Sequence, residues 1–273
     1  MVSLQPWFSE DDIDWDVFIK TQLSQTAQGT RYLSRDHSSP LNIPSSPYGD
    51  GWDVFWPGHC GTAFNPESSR FIFDNDPSVP ARKHRVNYGG KPNVTSYSNN
   101  ARSVFQANDG CCTYAYAVSY HGAQKLLHRQ NTRPAWGPYE LDVSGMCRED
   151  PNFTCLSVFP QIINSHGAAG PINRDSDLSV VKDTNIRKKG FTHNVVTSAR
   201  LNIANLLQGE EPVLQHPEDK QSLEGPVRFS VDEAERERGK LNIGTQQDTA
   251  TLQDRRSHYY TKSRGVGGRW PRW

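Results

Sequence analysis

Long apolar runs are missing from this 273-residue chain. No stretch approaches the roughly 18 consecutive apolar residues of a membrane-spanning helix, so no segment reads as one. The first dozen residues end in Glu10, Asp11 and Asp12 and lack the basic start and apolar run of a secretory signal. A charge surplus is also absent. Thirty Lys and Arg balance thirty Asp and Glu, whereas a dedicated nucleic-acid binder carries a basic excess. No C-x-x-C pair occurs among the five cysteines, Cys60, Cys111, Cys112, Cys147 and Cys155, which argues against a structural zinc site. Apolar residues are only 34% of the chain and the mean hydropathy is -0.74. One modest core with a good deal of loop is therefore expected. No internal repeat is visible.

The apolar residues that are present concentrate before about residue 208. Trp15, Phe18, Ile19 and Leu23 share a helical face behind an acidic start. Pro40 to Asp50 is a loop, and Trp52 to Trp56 reads as a short strand stopped by Pro57-Gly58. A second strand is expected near Phe71 to Asp76, then a long polar loop over Val79 to Asn108, with Asp109-Gly110 as a turn. Cys112 to Val118 reads as a buried strand. Ser119 is placed to cap a helix carrying Ala123, Leu126 and Leu127, which Pro134 to Pro138 ends. Cys155 to Phe159 is another strand, ended by Pro160. Ala199, Ile203, Leu206 and Leu207 line a last helix closed by Gly209. Alternating strands and helices indicate an α/β domain over 1–208. From 209 to 273 the chain is rich in Glu, Pro, Gln and Asp and then basic, and a disordered tail is expected.

Three segments are candidates for chemistry. Ser9 to Asp16 holds five carboxylates in eight residues, a density that is unfavourable unless a cation or the positive end of a helix answers it. Mg²⁺ and Mn²⁺ bind such oxygen ligands while bridging substrate phosphates. Asp53 to Thr62 contains Pro57-Gly58-His59-Cys60-Gly61, polar groups at the C-terminal edge of a strand, where α/β sheets take ligands. Cys111 to Ser119 places adjacent cysteines on opposite strand faces. A Cys111–His121 nucleophile pair, as in a Cys-His hydrolase, is a distant third reading. The five cysteines fit either five buried thiols or one or two disulfides and a spare. The sequons at Asn93 and Asn152 would suit a secretory lumen.

Taken in order, Glu10 to Asp16, Trp52 to Gly61 and Cys111 to Ala123 resemble the motifs of glycosyltransferase family 25, in particular its fungal members. Asp142 with Cys147, Phe159-Pro160-Gln161, Ser176-Asp177 and Ser198 to Ile203 also look familial. The resemblance spans roughly 9–208. It implies a GT-A-like mixed sheet flanked by helices and inverting transfer of galactose or glucose from a UDP-sugar to a glycan or glycoprotein acceptor. It also implies Mn²⁺ (or Mg²⁺) at Asp11, Asp12 and Asp14, and donor contacts from Glu10, Asp11, Asp12 and His59. The general base would be Asp142, Asp109 or Asp53. Family members carry a β-α-β stretch ahead of the acidic motif, where this chain has only Met1 to Ser9, a poor strand broken by Pro6. The expectation is therefore a domain incomplete at its N-terminus with little transferase activity. The alternative is a non-catalytic remnant that binds a glycan or a partner. An ER or Golgi location would follow from an anchor upstream, a cytoplasmic one otherwise.

Overall fold

The computed structural model describes residues 5–34, 44–87, 97–133, 137–175, 182–219 and 228–232. The chain divides into two compact units, Met1–Gly167 with Gly190–Glu235, and Ala168–Lys189 with Arg236–Trp273. In chain order the first unit contains β1 (Trp7–Ser9), β2 (Ile13–Trp15), α1 (Ile19–Ser34), β3 (Val54–Gly58), β4 (Gly61–Phe64) and β5 (Arg70–Asp74). There follow β6 (Arg102–Cys111), β7 (Ala115–Val118), α2 (Tyr120–Thr132), α3 (Tyr139–Glu149), β8 (Cys155–Phe159) and β9 (Ile163–Gly167). The second unit supplies β10 (Gly170–Pro171) and β11 (Ile186–Arg187), an antiparallel pair backed by a two-bond Arg187–Asp175 contact at 3.1 and 2.6 Å. The chain then returns to the first unit for β12 (Phe191–Thr192), α4 (Ile203–Gln208) and β13 (Arg228–Asp232).

Among the described residues the main sheet runs β1-β7-β3-β8-β6-β5-β13, with β4 on the far half of β6. β3 and β8 are parallel and the other pairs antiparallel, so the sheet is mixed. A smaller sheet orders β12-β9-β2. Strand alternation sends successive side chains to opposite faces. Val104 and Val158 pack under α1 with Ile19, Leu23 and Phe73. Phe105 and Phe159 pack on the other face with Leu126 of α2 and Val143 and Met146 of α3. The first unit is thus a mixed α/β fold with helices on both faces of its main sheet. Gly29 permits the close approach of α1, since a Cβ there would lie 2.8 Å from Val104 Cγ2.

Several sequence expectations are corrected here. Trp15 belongs to β2 and α1 starts only at Ile19, so the acidic run precedes the helix rather than opening it. β1 forms despite Pro6, because Trp7 to Ser9 pair with Ala115 to Ala117. β3 continues through Pro57-Gly58: the register against β7 shifts between Phe55 and Gly58, so the missing Pro57 N–H costs no ladder bond. Residues 102–108, expected as loop, and Asp109-Gly110, expected as a turn, form β6. Their polar side chains are buried by partners elsewhere, above all Arg102, which meets Asp76 at 2.8 Å and the carbonyls of Pro160 and Ser78. α3 was not anticipated. The apolar side of α4 is open, with Leu207 83% exposed, although Gly209 does close it in a left-handed conformation (φ 69).

Ser119 caps α2 as expected, accepting from Gly122 N at 3.0 Å. Cys60–Cys112 and Cys147–Cys155 are disulfides and Cys111 is a thiol. The stretch expected to be disordered from Gly209 onward is corrected over its described parts. Asn202 and Gln215 tie residues 213–215 to the domain, and residues 228–232 pair with β5. The first are amide side chains bonded to backbone groups and the second a backbone ladder, neither of which leaves an apolar periodicity to read. Residues 220–227 and 233–273, Asn93 and Ser176-Asp177 lie outside the described residues.

Candidate functional site

The three motif segments meet at one end of the main sheet. Pairing of β1 with β7 brings Ser9 opposite Ala115, so the residue after β1 faces the residues before β7. Glu10 N donates to Tyr114 O at 3.1 Å, and the Thr113 hydroxyl donates to Glu10 Oε1 at 2.9 Å. Pairing of β4 with β6 sets Gly61 opposite Cys111. Cys60 is joined to Cys112 by a disulfide, and the Trp56 indole N–H donates to Cys112 O at 2.8 Å. Segments about 50 residues apart are thereby locked together covalently.

This end of the sheet carries a set of carboxylates. Partial desolvation raises the Glu10 pKa. Its Thr113 bond opposes the rise, and the nearby Asp12 and Glu140 carboxylates add to it. Glu140 stands in the first turn of α3, where an acid suits the helix dipole. Asp109, on β6, accepts from the Ser144 hydroxyl and lies 3.6 Å from Arg148, and its side chain is 42% exposed. Between them Cys111 is a poor nucleophile: burial, with Asp109 and Glu140 adding to it, pushes its thiol up to about 12. Its sulfur lies 3.1 Å from Cys60 Sγ, and His121 sits on an exposed position of α2. The Cys-His reading is therefore set aside, since a reactive thiol needs a lowered pKa.

The expected metal set does not converge. Asp14 is fully buried on β2, and its two oxygens accept from Thr192 Oγ1 (2.6 Å), the Ser198 hydroxyl, Arg200 N (3.1 Å) and Trp15 N (2.8 Å). Burial acts to raise this carboxyl. The His166 ring 3.7 Å away, Ser198, Thr192 and the Arg200 N–H outweigh it and hold the carboxyl at about 2. Asp16 is also enclosed and caps Phe18 N (3.0 Å) and Thr197 N (2.8 Å). Asp12 accepts from the Ser165 hydroxyl at 2.8 Å, and Asp11 holds Arg200 through its backbone carbonyl. Among the described residues, three or more metal-ligating side chains converge at two places, Cys60–Cys111–Cys112 and His84–His216–Glu218–Asp219. Neither includes Asp11, Asp12 or Asp14. The crowding that suggested a cation is relieved by hydrogen bonds and by alternate strand faces.

The other expected residues separate likewise. His59 is enclosed rather than facing a cofactor. Its Nε2 donates to Val158 O at 3.0 Å, and burial lowers it to about 4, so the ring is neutral. Asp53 is buried between Lys125 Nζ (2.8 Å) and Thr154 N (2.8 Å). Asp142 is paired with Arg129 Nε at 3.0 Å. Of the three base candidates Asp109 alone is substantially open to solvent. Sequence reasoning missed Glu140, Thr113 and Ser144. The signal for Glu140 was present in Gly137-Pro138-Tyr139-Glu140, a proline and an acid at a helix start. Comparison with protein-family models, with curated proteins and with solved structures finds no match for this chain.

Proposed function

We propose that this chain is a family 25-type hexosyltransferase that handles a UDP-hexose and a glycan or glycoprotein acceptor at the Glu10–Asp109–Glu140 face. One observation carries the reading. The three segments that resemble family motifs lie about 50 residues apart, yet they join at one sheet end through the Glu10–Thr113 bond and the Cys60–Cys112 disulfide. The mixed sheet with helices on both faces is compatible with a GT-A-like arrangement.

In an inverting displacement the acceptor oxygen bonds to the sugar C1 as the bond from C1 to the diphosphate breaks, and a carboxylate takes the hydroxyl proton. Asp109 is the assigned base, being open and oriented by Ser144. Asp53 and Asp142 are enclosed in close pairs with Lys125 and Arg129, whereas Asp109 meets Arg148 only at 3.6 Å and stays open. Asp14 has no oxygen left to give, and among the described residues Asp11 and Asp12 find no third converging ligand, so these residues do not by themselves fit the implied Mn²⁺ and no step runs through it. The test is UDP release from UDP-galactose and UDP-glucose over a panel of glycoside acceptors, with saturation-transfer NMR on the same ligands. Asp109→Asn should cut release by roughly 100-fold or more while ligand contacts persist, the usual worth of a general base. Glycoside contact with no UDP release would favour the glycan-binding alternative. Neither contact nor release at millimolar ligand would refute both.

A further inference from the structure

A second cluster lies apart from the acidic face and has no part in the proposed transfer. After Pro80-Ala81 the chain makes one short 3₁₀ turn, Arg82–His84, closed by His84 N to Ala81 O at 2.9 Å. More than a hundred residues later the segment leaving α4 is clamped from both sides. Asn202 exchanges two hydrogen bonds with Val213, at 2.7 and 3.0 Å, and the Gln215 side chain donates to Thr192 O and Val195 O at 2.9 and 2.7 Å. Held in this way, the chain turns at His216 to Asp219, with Asp219 N donating to His216 O at 3.0 Å. The turn presents His216, Glu218 and Asp219 to His84. The two imidazoles stack with centroids 3.4 Å apart and planes within 7°. His84 Nε2 lies 2.5 Å from Asp219 Oδ2, and His216 Nδ1 lies 3.5 Å from Glu218 Oε1. One ligand atom from each of the four residues falls within 4.8 Å of all the others. The cluster borders a cavity of about 230 Å³ whose other walls include Phe18, Pro80 and Leu214.

We propose that His84, His216, Asp219 and Glu218 form a binding site for a divalent first-row transition metal, Zn²⁺ foremost, that staples the 210–219 segment onto the domain. Two imidazoles with carboxylates are the donor chemistry of Zn²⁺ rather than of Mg²⁺ or Ca²⁺, which take oxygens. At Zn–N distances of about 2.0–2.1 Å the edge of a tetrahedral site is roughly 3.4 Å, and one donor atom from each of the four residues already lies within 4.8 Å of the others. Because each nitrogen lone pair lies in its ring plane, the two near-parallel rings must tilt for both to reach one ion, and the half-open setting leaves an entry path. Lys83 Nζ, 2.6 Å from Asp219 Oδ1, holds the other carboxylate oxygen and so fixes the ligand from outside, as outer-shell partners do. Metal here closes a loop running from residue 84 to residue 216, tying the segment after α4 to the body.

The experiment is isothermal titration of the full chain, freed of metal by chelation, with Zn²⁺ and separately with Mn²⁺. Co²⁺ absorption reports coordination geometry. One equivalent of Zn²⁺ is expected, together with a tetrahedral Co²⁺ spectrum, weaker Mn²⁺ binding and a higher Tm with Zn²⁺. His216→Ala and Glu218→Gln test the ligands. The histidine variant should lose more than the roughly 10–100-fold that removal of an outer-shell partner costs. Asp11→Ala/Asp12→Ala should bind Zn²⁺ as wild type does, which separates this site from the acidic face. In the unmutated chain Zn²⁺ should shield His84 and His216 from diethylpyrocarbonate, read by peptide mass spectrometry, so the test survives a variant that fails to fold. No Zn²⁺ binding, binding unchanged in His216→Ala, or unprotected histidines would overturn the proposal.

Discussion

Replacing Asp14 by Asn distinguishes a structural carboxylate from a metal ligand. In the folded chain the group titrates at about 2 against an ordinary 3.8. At about 1.4 kcal/mol per unit, that difference contributes on the order of 2 kcal/mol at neutral pH. A second route gives a similar figure. Asparagine keeps one carbonyl oxygen for the Arg200 N–H and weakens the bonds from the Thr192 and Ser198 hydroxyls, and a bond to a charged group is worth about 1.5–3 kcal/mol. Asp14→Asn should therefore cost about 2–3 kcal/mol, a fall in Tm of roughly 4–12 °C for a domain of this size. The sign with pH follows from the lowered pKa. The stabilisation is complete above about pH 4, where the unfolded carboxylate is also ionised, and fades as pH falls through about 2. Urea melts of wild type and variant at pH 7 and pH 2.5 should show the gap narrowing in acid. Neither Mn²⁺ nor a chelator should change the gap at pH 7. A cost below about 1 kcal/mol, or one that appears only with Mn²⁺ present, would refute the structural assignment and return Asp14 to the metal.

Asp76→Ala should destabilise by about 3–5 kcal/mol, because it strands the fully buried Arg102 guanidinium. Asp76→Ala/Arg102→Met should recover much of the loss in thermal melts, and equal melting of single and double variants would deny the pairing. The Asp76 carboxyl is held below its ordinary value by Arg102 and by Ser78, against the effect of burial. The contribution is thus present at neutral pH and lost on acidification below the ordinary carboxylate range. Gly122→Ala should destabilise by more than a helix-propensity change could offset, since its Cβ would lie 2.2 Å from Asp53 O. A variant as stable as wild type would show that α2 can move away from β3. Opening Cys60–Cys112, whose cysteines are 52 residues apart, as Cys60→Ser/Cys112→Ser should cost up to about 4 kcal/mol by chain entropy. An unchanged urea midpoint would show that the covalent link between the two motif segments is dispensable.

Where side chains report their own burial, the sequence by itself determined the structure. Cys155 to Phe159 is a run of apolar and small residues and lies as a fully buried strand beside β3 and β6. Ser119 before Ala123 and Leu126 caps a helix because a hydroxyl answers a free N–H wherever that pattern occurs. The segments that carry the site were legible as well, since each is unusual within ten residues. Tertiary structure decided everything that depends on a partner distant in the chain. β6 reads as loop until Asp76 neutralises Arg102 and the Ser78 carbonyl accepts from it. Residues 213–215 read as disordered until the Asn202 side chain accepts from Val213 N and the Gln215 side chain donates to Thr192 O. Asp12 and Asp14 are alike in sequence, but the strand sends Asp14 into a pocket of donors built by residues 192–200 and leaves Asp12 outside. Composition measures what a residue would cost to bury alone, and these residues are not buried alone. Long-range partners supply the compensating bonds, and only the folded chain brings them within reach.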